Sequence, residues 1–165
     1  MEHSRRNPRL ACFDYASTGV YFVTICTDQR RKILSKVCRD DPCGRPRIHL
    51  LPLGKIAENM IPLVEKKYHI AVDYYVIMPD HIHMIIFLPG NFVQGRLITL
   101  GQVIGGYTSL VSNQWLNVCK QHGVTMGKLW QNRYYDHIVR NDEDLANTRS
   151  YIKTNPDRWV MNHSN

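Results

Sequence analysis

No stretch of this sequence approaches the roughly 20 apolar residues that a membrane-crossing helix needs; the longest apolar run, Met84 to Pro89, fits a buried strand. The opening residues, Met1-Glu2-His3-Ser4-Arg5-Arg6-Asn7-Pro8, lack the apolar stretch of a secretory leader. These two absences set the expectation of a soluble cytoplasmic protein. The five cysteines, Cys12, Cys26, Cys38, Cys43 and Cys119, are odd in number and contain no CxxC pair. That pattern argues against a disulfide framework or a thiolate zinc site and for free thiols. Negative charge is scarce, with 14 Asp plus Glu against 21 Lys plus Arg and a net charge of +7. Such a surplus suits nucleic acid or an anionic membrane rather than a basic partner. The glycines at 101–106 lack the GKS or GKT ending of a phosphate-binding P-loop, which leaves close helix packing as their better explanation. There is no internal repeat, low-complexity tract or linker. At 165 residues and 44% hydrophobic composition, one domain over residues 1–165 is expected. It carries a basic arm at 1–17 and an irregular insertion at 40–52, where Pro42, Gly44, Pro46 and Pro52 cluster.

What remains alternates between strand and helix patterns. Gly19 to Thr27, rich in β-branched and aromatic residues, reads as a first strand. From Leu53 the spacing of Ile56, Met60, Leu63, Val64 and Lys67 predicts a helix, with Pro62 expected to kink or break it. Asp73 to Met78 and Ile82 to Leu88 form a hairpin across Pro79-Asp80. Leu97 to Trp115 predicts a second helix from the stripe Leu97, Leu100, Ile104, Tyr107, Leu110 and Val111. Lys128 to Val139 is expected as the last strand. A final helix follows the cap-like Asn141-Asp142-Glu143-Asp144 and is expected to end near Asn155-Pro156. The order β, α, β, β, α, β, α predicts an α+β fold: a ferredoxin-like βαββαβ antiparallel sheet with an additional C-terminal helix. The strand bearing His81 and His83 belongs in the middle of that sheet.

Positions two apart on a strand point the same way, so His81 and His83 project two imidazoles from one face, roughly 7 Å apart at Cα. Two neutral imidazoles leave most of a divalent ion's coordination shell open, so a third ligand is needed. The last helix offers one. Tyr151 and Asn155 are four residues apart and share a helix face. The Asn155 carboxamide can complete an imidazole-plus-oxygen set for Mg²⁺ or Mn²⁺, and Tyr151 offers a nucleophile one turn away. A packed Tyr151 and an Asn155 that caps the helix before Pro156 are the structural alternative. Arg5, Arg6, Arg9, Arg30, Arg31, Lys32, Arg133, Arg140 and Lys153 are candidate phosphate contacts, and Trp130, Tyr134 and Tyr135 can either stack on unpaired bases or fill the core.

Five blocks in order carry a resemblance beyond this spacing: Arg9-Leu10 with Asp14-Tyr15; Gly19 to Thr27; Met78-Pro79-Asp80-His81-Ile82-His83; Trp130-Gln131-Asn132-Arg133-Tyr134-Tyr135-Asp136-His137-Ile138-Val139-Arg140; and Tyr151-Ile152 with Asn155-Pro156 and Trp159. Nearly end to end, the chain resembles the HUH tyrosine transposases of the short insertion-sequence and REP-associated (Y1) type. The resemblance implies that His81 and His83 bind a divalent metal that polarises a phosphate of single-stranded DNA, that Tyr151 attacks it, and that Asn155 stands at the metal-binding amide position, which is Gln in many insertion-sequence relatives. It also implies a hairpin beside the cleavage site as substrate. The protein is then either a homodimer whose tyrosine enters the partner's histidine site or a monomer.

A free phenol, with a pKa near 10, is a poor nucleophile at pH 7, which makes a metal chemically reasonable here. Attack by Tyr151 would leave a 5′-phosphotyrosine and a free 3′-hydroxyl, and would be reversible without ATP. Two other functions stay open at this point. A non-catalytic nucleic-acid-binding module would bind DNA without forming an adduct, and a metallohydrolase using activated water would leave free 5′-phosphate ends.

Overall fold

The computed structural model describes residues 18–38, 45–90, 92–93 and 95–163. The expected basic arm at 1–17, with Arg5, Arg6 and Arg9, lies outside the described residues.

Strand β1 (Gly19–Cys26) alternates Tyr21, Val23 and Ile25 on one face with Val20, Phe22 and Thr24 on the other, and both faces find cover. It pairs antiparallel with β5 (His81–Leu88) on one side and with β8 (Tyr135–Val139) on the other; β4 (Ala71–Ile77) closes the sheet beyond β5. The order β4-β5-β1-β8 is the expected ferredoxin-like arrangement, and it places the histidine strand centrally. Helices α1 (Pro52–Tyr68) and α2 (Leu100–Gln121) cover one face. Leu53, Ala57, Ile61 and Val64 of α1 and Val103, Ile104, Tyr107 and Val111 of α2 form one core with Tyr21, Val23, Ile82, Met84 and Ile86. The α2 helix begins at a Thr99–Gln102 capping box. Helix α3 (Asp142–His163) covers the other face through a smaller core of Val76, Met78, Ile85 and Ile152, with Phe22, Leu145 and Trp159 packed around it.

Five expectations are corrected. Residues 40–44 of the expected insertion lie outside the described residues, and the rest is not irregular throughout: Arg47–Leu50 forms strand β3, paired with β2 (Ser35–Cys38), and Pro52 opens α1. Ile48 and Val37 bury against the α3 side, which gives this short hairpin its reason to form despite the neighbouring prolines. Pro62 does not break α1, because it sits on the exposed face, where water can bond the Glu58 carbonyl that the ring leaves without a donor. Leu97 belongs to a small β6–β7 hairpin (Phe92–Val93 and Arg96–Leu97), and only the second half of 128–139 is strand; the first half is joined to β1 by a single bridge between Thr27 and Trp130. Pro156 does not end α3, which continues to His163. A mid-helix proline costs about 3 kcal/mol locally, and the packing of Trp159 against the smaller core holds the extra turns in place.

The N-terminal end of α3 is fixed as its sequence proposed. The Asn141 side chain accepts from the Asp144 backbone N–H at 2.8 Å, and Asp144 in turn bonds the Arg140 N–H and the His137 ring. Cys26, Cys38 and Cys119 are free thiols. No described helix is long and apolar enough to cross a membrane.

Tight contact between the β2 entry and α1 gives a stability prediction. A Cβ on Gly54 would collide with the Leu34 carbonyl oxygen, which is pinned by the Leu51 N–H at 2.9 Å. Gly54→Ala is expected to destabilise the fold by about 1–3 kcal/mol, read from the urea midpoint. Gly105→Ala in α2, where a Cβ meets open space, is expected to be neutral or to stabilise by up to ~1 kcal/mol.

Candidate active site

The β1–β5 register puts Thr24 directly opposite His83 and Cys26 opposite His81. Cross-strand partners share a face, so the Thr24 hydroxyl meets His83 Nδ1 at 2.8 Å. His81 Nδ1 lies 2.5 Å from the carboxylate of Asp80, the residue before it. The turn that presents both is clamped by the chain leaving β1: Thr27 N–H donates to the Asp80 carbonyl, Leu34 N–H to the Pro79 carbonyl, and the Met78 N–H closes onto His81. Each imidazole thus has its Nδ1 engaged, which fixes the ring and leaves Nε2 as the nitrogen that can hold a metal.

Burial sets the charge of these groups. His83, 5% exposed, is pushed down to about 3 by desolvation first and by its electrostatic interactions with His81 and Arg30 second, which makes it a neutral imidazole, the form able to ligate, at physiological pH. Burial raises the Asp80 carboxyl, but its hydrogen bond to His81 and the charges of His81 and Arg30 outweigh that and hold it below the usual carboxylate range. Arg30, carried on a left-handed pair with Gln29 (φ of 54° and 53°), stands 3.6 Å from that carboxylate.

Helix α3 supplies the opposite wall. Ile152 is fully buried in the smaller core, which turns Tyr151 toward the histidines. Its ring stands edge-on to His83 at 5.5 Å between centroids and to Phe22 at 5.8 Å. Asn155 is buried one turn on. Arg149 locks the helix to the sheet by a two-pronged bond to Asp73 on β4, at 2.7 and 2.8 Å. Thr24, Arg30, His81, His83, Tyr151, Asn155, Arg158, Trp159 and Asn162 enclose a cleft of about 390 Å³.

The four residues expected to do chemistry, His81, His83, Tyr151 and Asn155, therefore meet in one place. Of the expected phosphate contacts, Arg30 lines the cleft. Arg133 lines a second cleft of about 250 Å³ on the other face of the sheet, beside Gln131, Asn132 and the glycines of α2. Lys153 and Arg140 are exposed but outside both clefts. Arg31 is turned onto the backbone carbonyls of Asp28 and Lys128. Lys32 stacks over Trp159 at the rim. Trp130 is core, its indole N–H donating to Ser112 at 3.1 Å, and Tyr135 is exposed. Sequence reasoning missed Thr24, Asp80, Arg158, Trp159 and Asn162 as site residues. The last three stand seven, eight and eleven positions after Tyr151, a helical spacing hidden by the expectation that Pro156 ends the helix.

The donor chemistry suits a divalent ion. Among the described residues no three His, Cys, Asp or Glu side chains cluster to hold a metal; beside the two imidazoles, the buried Asn155 amide in the same cleft offers a neutral oxygen. Two imidazoles and one amide leave coordination positions for substrate and water, a set that Mn²⁺ or Mg²⁺ accepts.

The arrangement is a ferredoxin-like sheet whose His-x-His pair faces a helix tyrosine across a cleft. The chain belongs to the IS200-like transposase family, whose sequence profile matches residues 16–155. A Haemophilus influenzae protein provisionally named a REP-associated tyrosine transposase is 33% identical over 148 residues, covering 87% of this chain and 73% of that protein. The REP-associated tyrosine transposase of Escherichia coli is 23% identical, covering 88% and 72%. Among solved structures, a REP-associated tyrosine transposase bound to a REP hairpin superposes with a TM-score of 0.56 at 20% identity, over 96% of this chain and 74% of the other. A Deinococcus radiodurans protein provisionally named a transposase gives 0.52 at 13% identity, over 84% and 91%. Membership of this family supports a DNA transposase role.

A metal held by these rings depends on the groups behind them. Thr24→Val is expected to weaken Mn²⁺ binding by ~10–100-fold, measured by electron paramagnetic resonance titration of the free ion, with the fold unchanged by circular dichroism.

Proposed function

We propose that this chain nicks and rejoins single-stranded DNA, with Tyr151 as nucleophile and with His81, His83 and Asn155 holding Mg²⁺ or Mn²⁺. The observation that carries this reading is the packing of the Tyr151 ring against His83 in the cleft that also contains His81 and Asn155. A bound divalent ion would draw charge from a non-bridging phosphate oxygen. The chain's own residues do the rest. Thr24 and Asp80 orient the imidazoles, and Phe22 and His83 buttress the tyrosine ring.

Attack forms a bond from Tyr151 Oη to phosphorus and breaks the bond from phosphorus to the 3′-oxygen. The phenol loses a proton and the leaving oxygen gains one, giving a 5′-phosphotyrosine and a free 3′-hydroxyl. One phosphoester is exchanged for another, so a second 3′-hydroxyl can reverse the step without ATP.

The substrate in this reading is single-stranded DNA bearing a hairpin. Its support is the family membership, the net charge of +7 and the fold shared with a transposase solved on a REP hairpin. Arg5, Arg6 and Arg9 of the arm, with Arg30, Arg133, Arg140 and Lys153, supply phosphate contacts, so binding weakens steeply with salt. Tyr151 works on the metal of its own subunit, because α3 is seated on its own sheet by Ile152 and by the Arg149–Asp73 fork. A homodimer is then not required to complete the site.

Incubation with Mn²⁺ and labelled single-stranded hairpins is expected to give a denaturation-resistant protein–DNA adduct. Tyr151→Phe should lower adduct formation by ~10³-fold or more while hairpin binding changes little. An undiminished adduct would remove Tyr151 as nucleophile. Binding without any adduct from the unaltered protein would favour a non-catalytic DNA-binding role, and free 5′-phosphate ends a hydrolase.

A further inference from the structure

Because α3 continues through Pro156, it presents Tyr151, Asn155, Arg158 and Asn162 at intervals of four, three and four residues, one helix face, and all four line the cleft. The Arg158 guanidinium lies over the Tyr151 ring, 5.0 Å from its centre. A planar cation on the ring face is held there by the aromatic quadrupole, with its N–H edge left to donate.

The charges in the cleft are unevenly matched. Arg30 is the other arginine, and its guanidinium stands 3.6 Å from the Asp80 carboxylate. Arg158 is exposed and pairs with no acidic side chain among the described residues. His83 is neutral. The cleft wall beside the tyrosine therefore carries one arginine whose charge is uncommitted.

A phosphodiester enters with one negative charge, and nucleophilic attack concentrates more on its non-bridging oxygens. We propose that Arg158 is a catalytic residue that donates to a non-bridging oxygen of the phosphate attacked by Tyr151, on the Tyr151 side of the site and apart from the two imidazoles. The assignment rests on the nicking and joining reading above. It places a protein cation beside the attacking phenol, on the α3 wall that faces the histidine strand. The planar shape of the guanidinium matters as well as its charge: stacked on the ring, it positions phosphate and phenol together, which a flexible lysine does less well.

The test is single-turnover adduct formation at saturating hairpin DNA with Mn²⁺, comparing the unaltered protein with Arg158→Gln and Arg158→Lys. Arg158→Gln is expected to slow the step by ~10²–10³-fold, as for removal of a donor to developing charge, with hairpin Kd within about threefold; Arg158→Lys recovers only part. The same comparison is run on the two methylphosphonate diastereomers at the scissile position, each with one non-bridging oxygen replaced by a neutral methyl group. In the diastereomer lacking the oxygen that faces Arg158, the penalty should shrink to below ~10-fold. A rate within about threefold of the unaltered protein on the natural phosphodiester overturns the assignment. So does an equal penalty on the phosphodiester and both diastereomers, which marks Arg158 as merely structural. If the unaltered protein reacts with neither diastereomer, a loss confined to Kd overturns it and a loss in the rate constant supports it. Failure of the unaltered protein to form any adduct instead defeats the parent reading, and this one with it.

Discussion

Tyr151 faces the histidine pair because its neighbour Ile152 is fully buried against Val76, Met78 and Ile85. Burying an isoleucine of this kind is worth roughly 1.5–3 kcal/mol. The Arg149–Asp73 fork and the packing of Trp159 resist rotation of the helix about that anchor. Turn α3 by one residue in one sense and Tyr151 enters the core; turn it in the other and Ile152 enters the cleft. The seating of this one helix therefore governs both the stability of the second face and the position of Tyr151, the proposed nucleophile.

The sheet contributes a matching constraint. The β1–β5 register brings Thr24 to His83, and a slip by one residue would send both imidazoles into the α1–α2 core. Ile82, Met84 and Ile86 oppose that slip, since all three are buried on the far face. The apolar pattern that folds the strand is thus also what aims its two polar residues. Burial then keeps His83 neutral, the form that coordinates a metal.

Much of this could be read from the residues. The alternation in Gly19–Cys26 and His81–Leu88 located the two central strands, and the Tyr151–Asn155 spacing located the helix face that lines the cleft. Legibility failed where tertiary contact overrode a local signal. Pro62 and Pro156 look like helix breaks, yet one faces water and the other precedes Trp159, whose packing holds the following turns. Arg47–Leu50 is too short and too close to prolines to stand out as a strand until Ile48 meets the α3 side. Thr24 carries no signature at all: its role exists only once two strands 59 residues apart are in register.

As seated, one chain supplies His81, His83, Tyr151 and Asn155 to the cleft, so the proposed attack runs within a subunit unless α3 is exchanged between two. Co-expression of a Tyr151→Phe variant with a His81→Ala/His83→Ala variant, so that mixed assemblies can form, separates the two possibilities by adduct formation on hairpin DNA with Mn²⁺. An intact tyrosine and an intact histidine pair never share a subunit in such a mixture, so no adduct is expected. An adduct present in the mixture and absent from either variant alone would show the tyrosine reaching a partner's histidines, and would contradict the seating of α3 on its own sheet during the reaction.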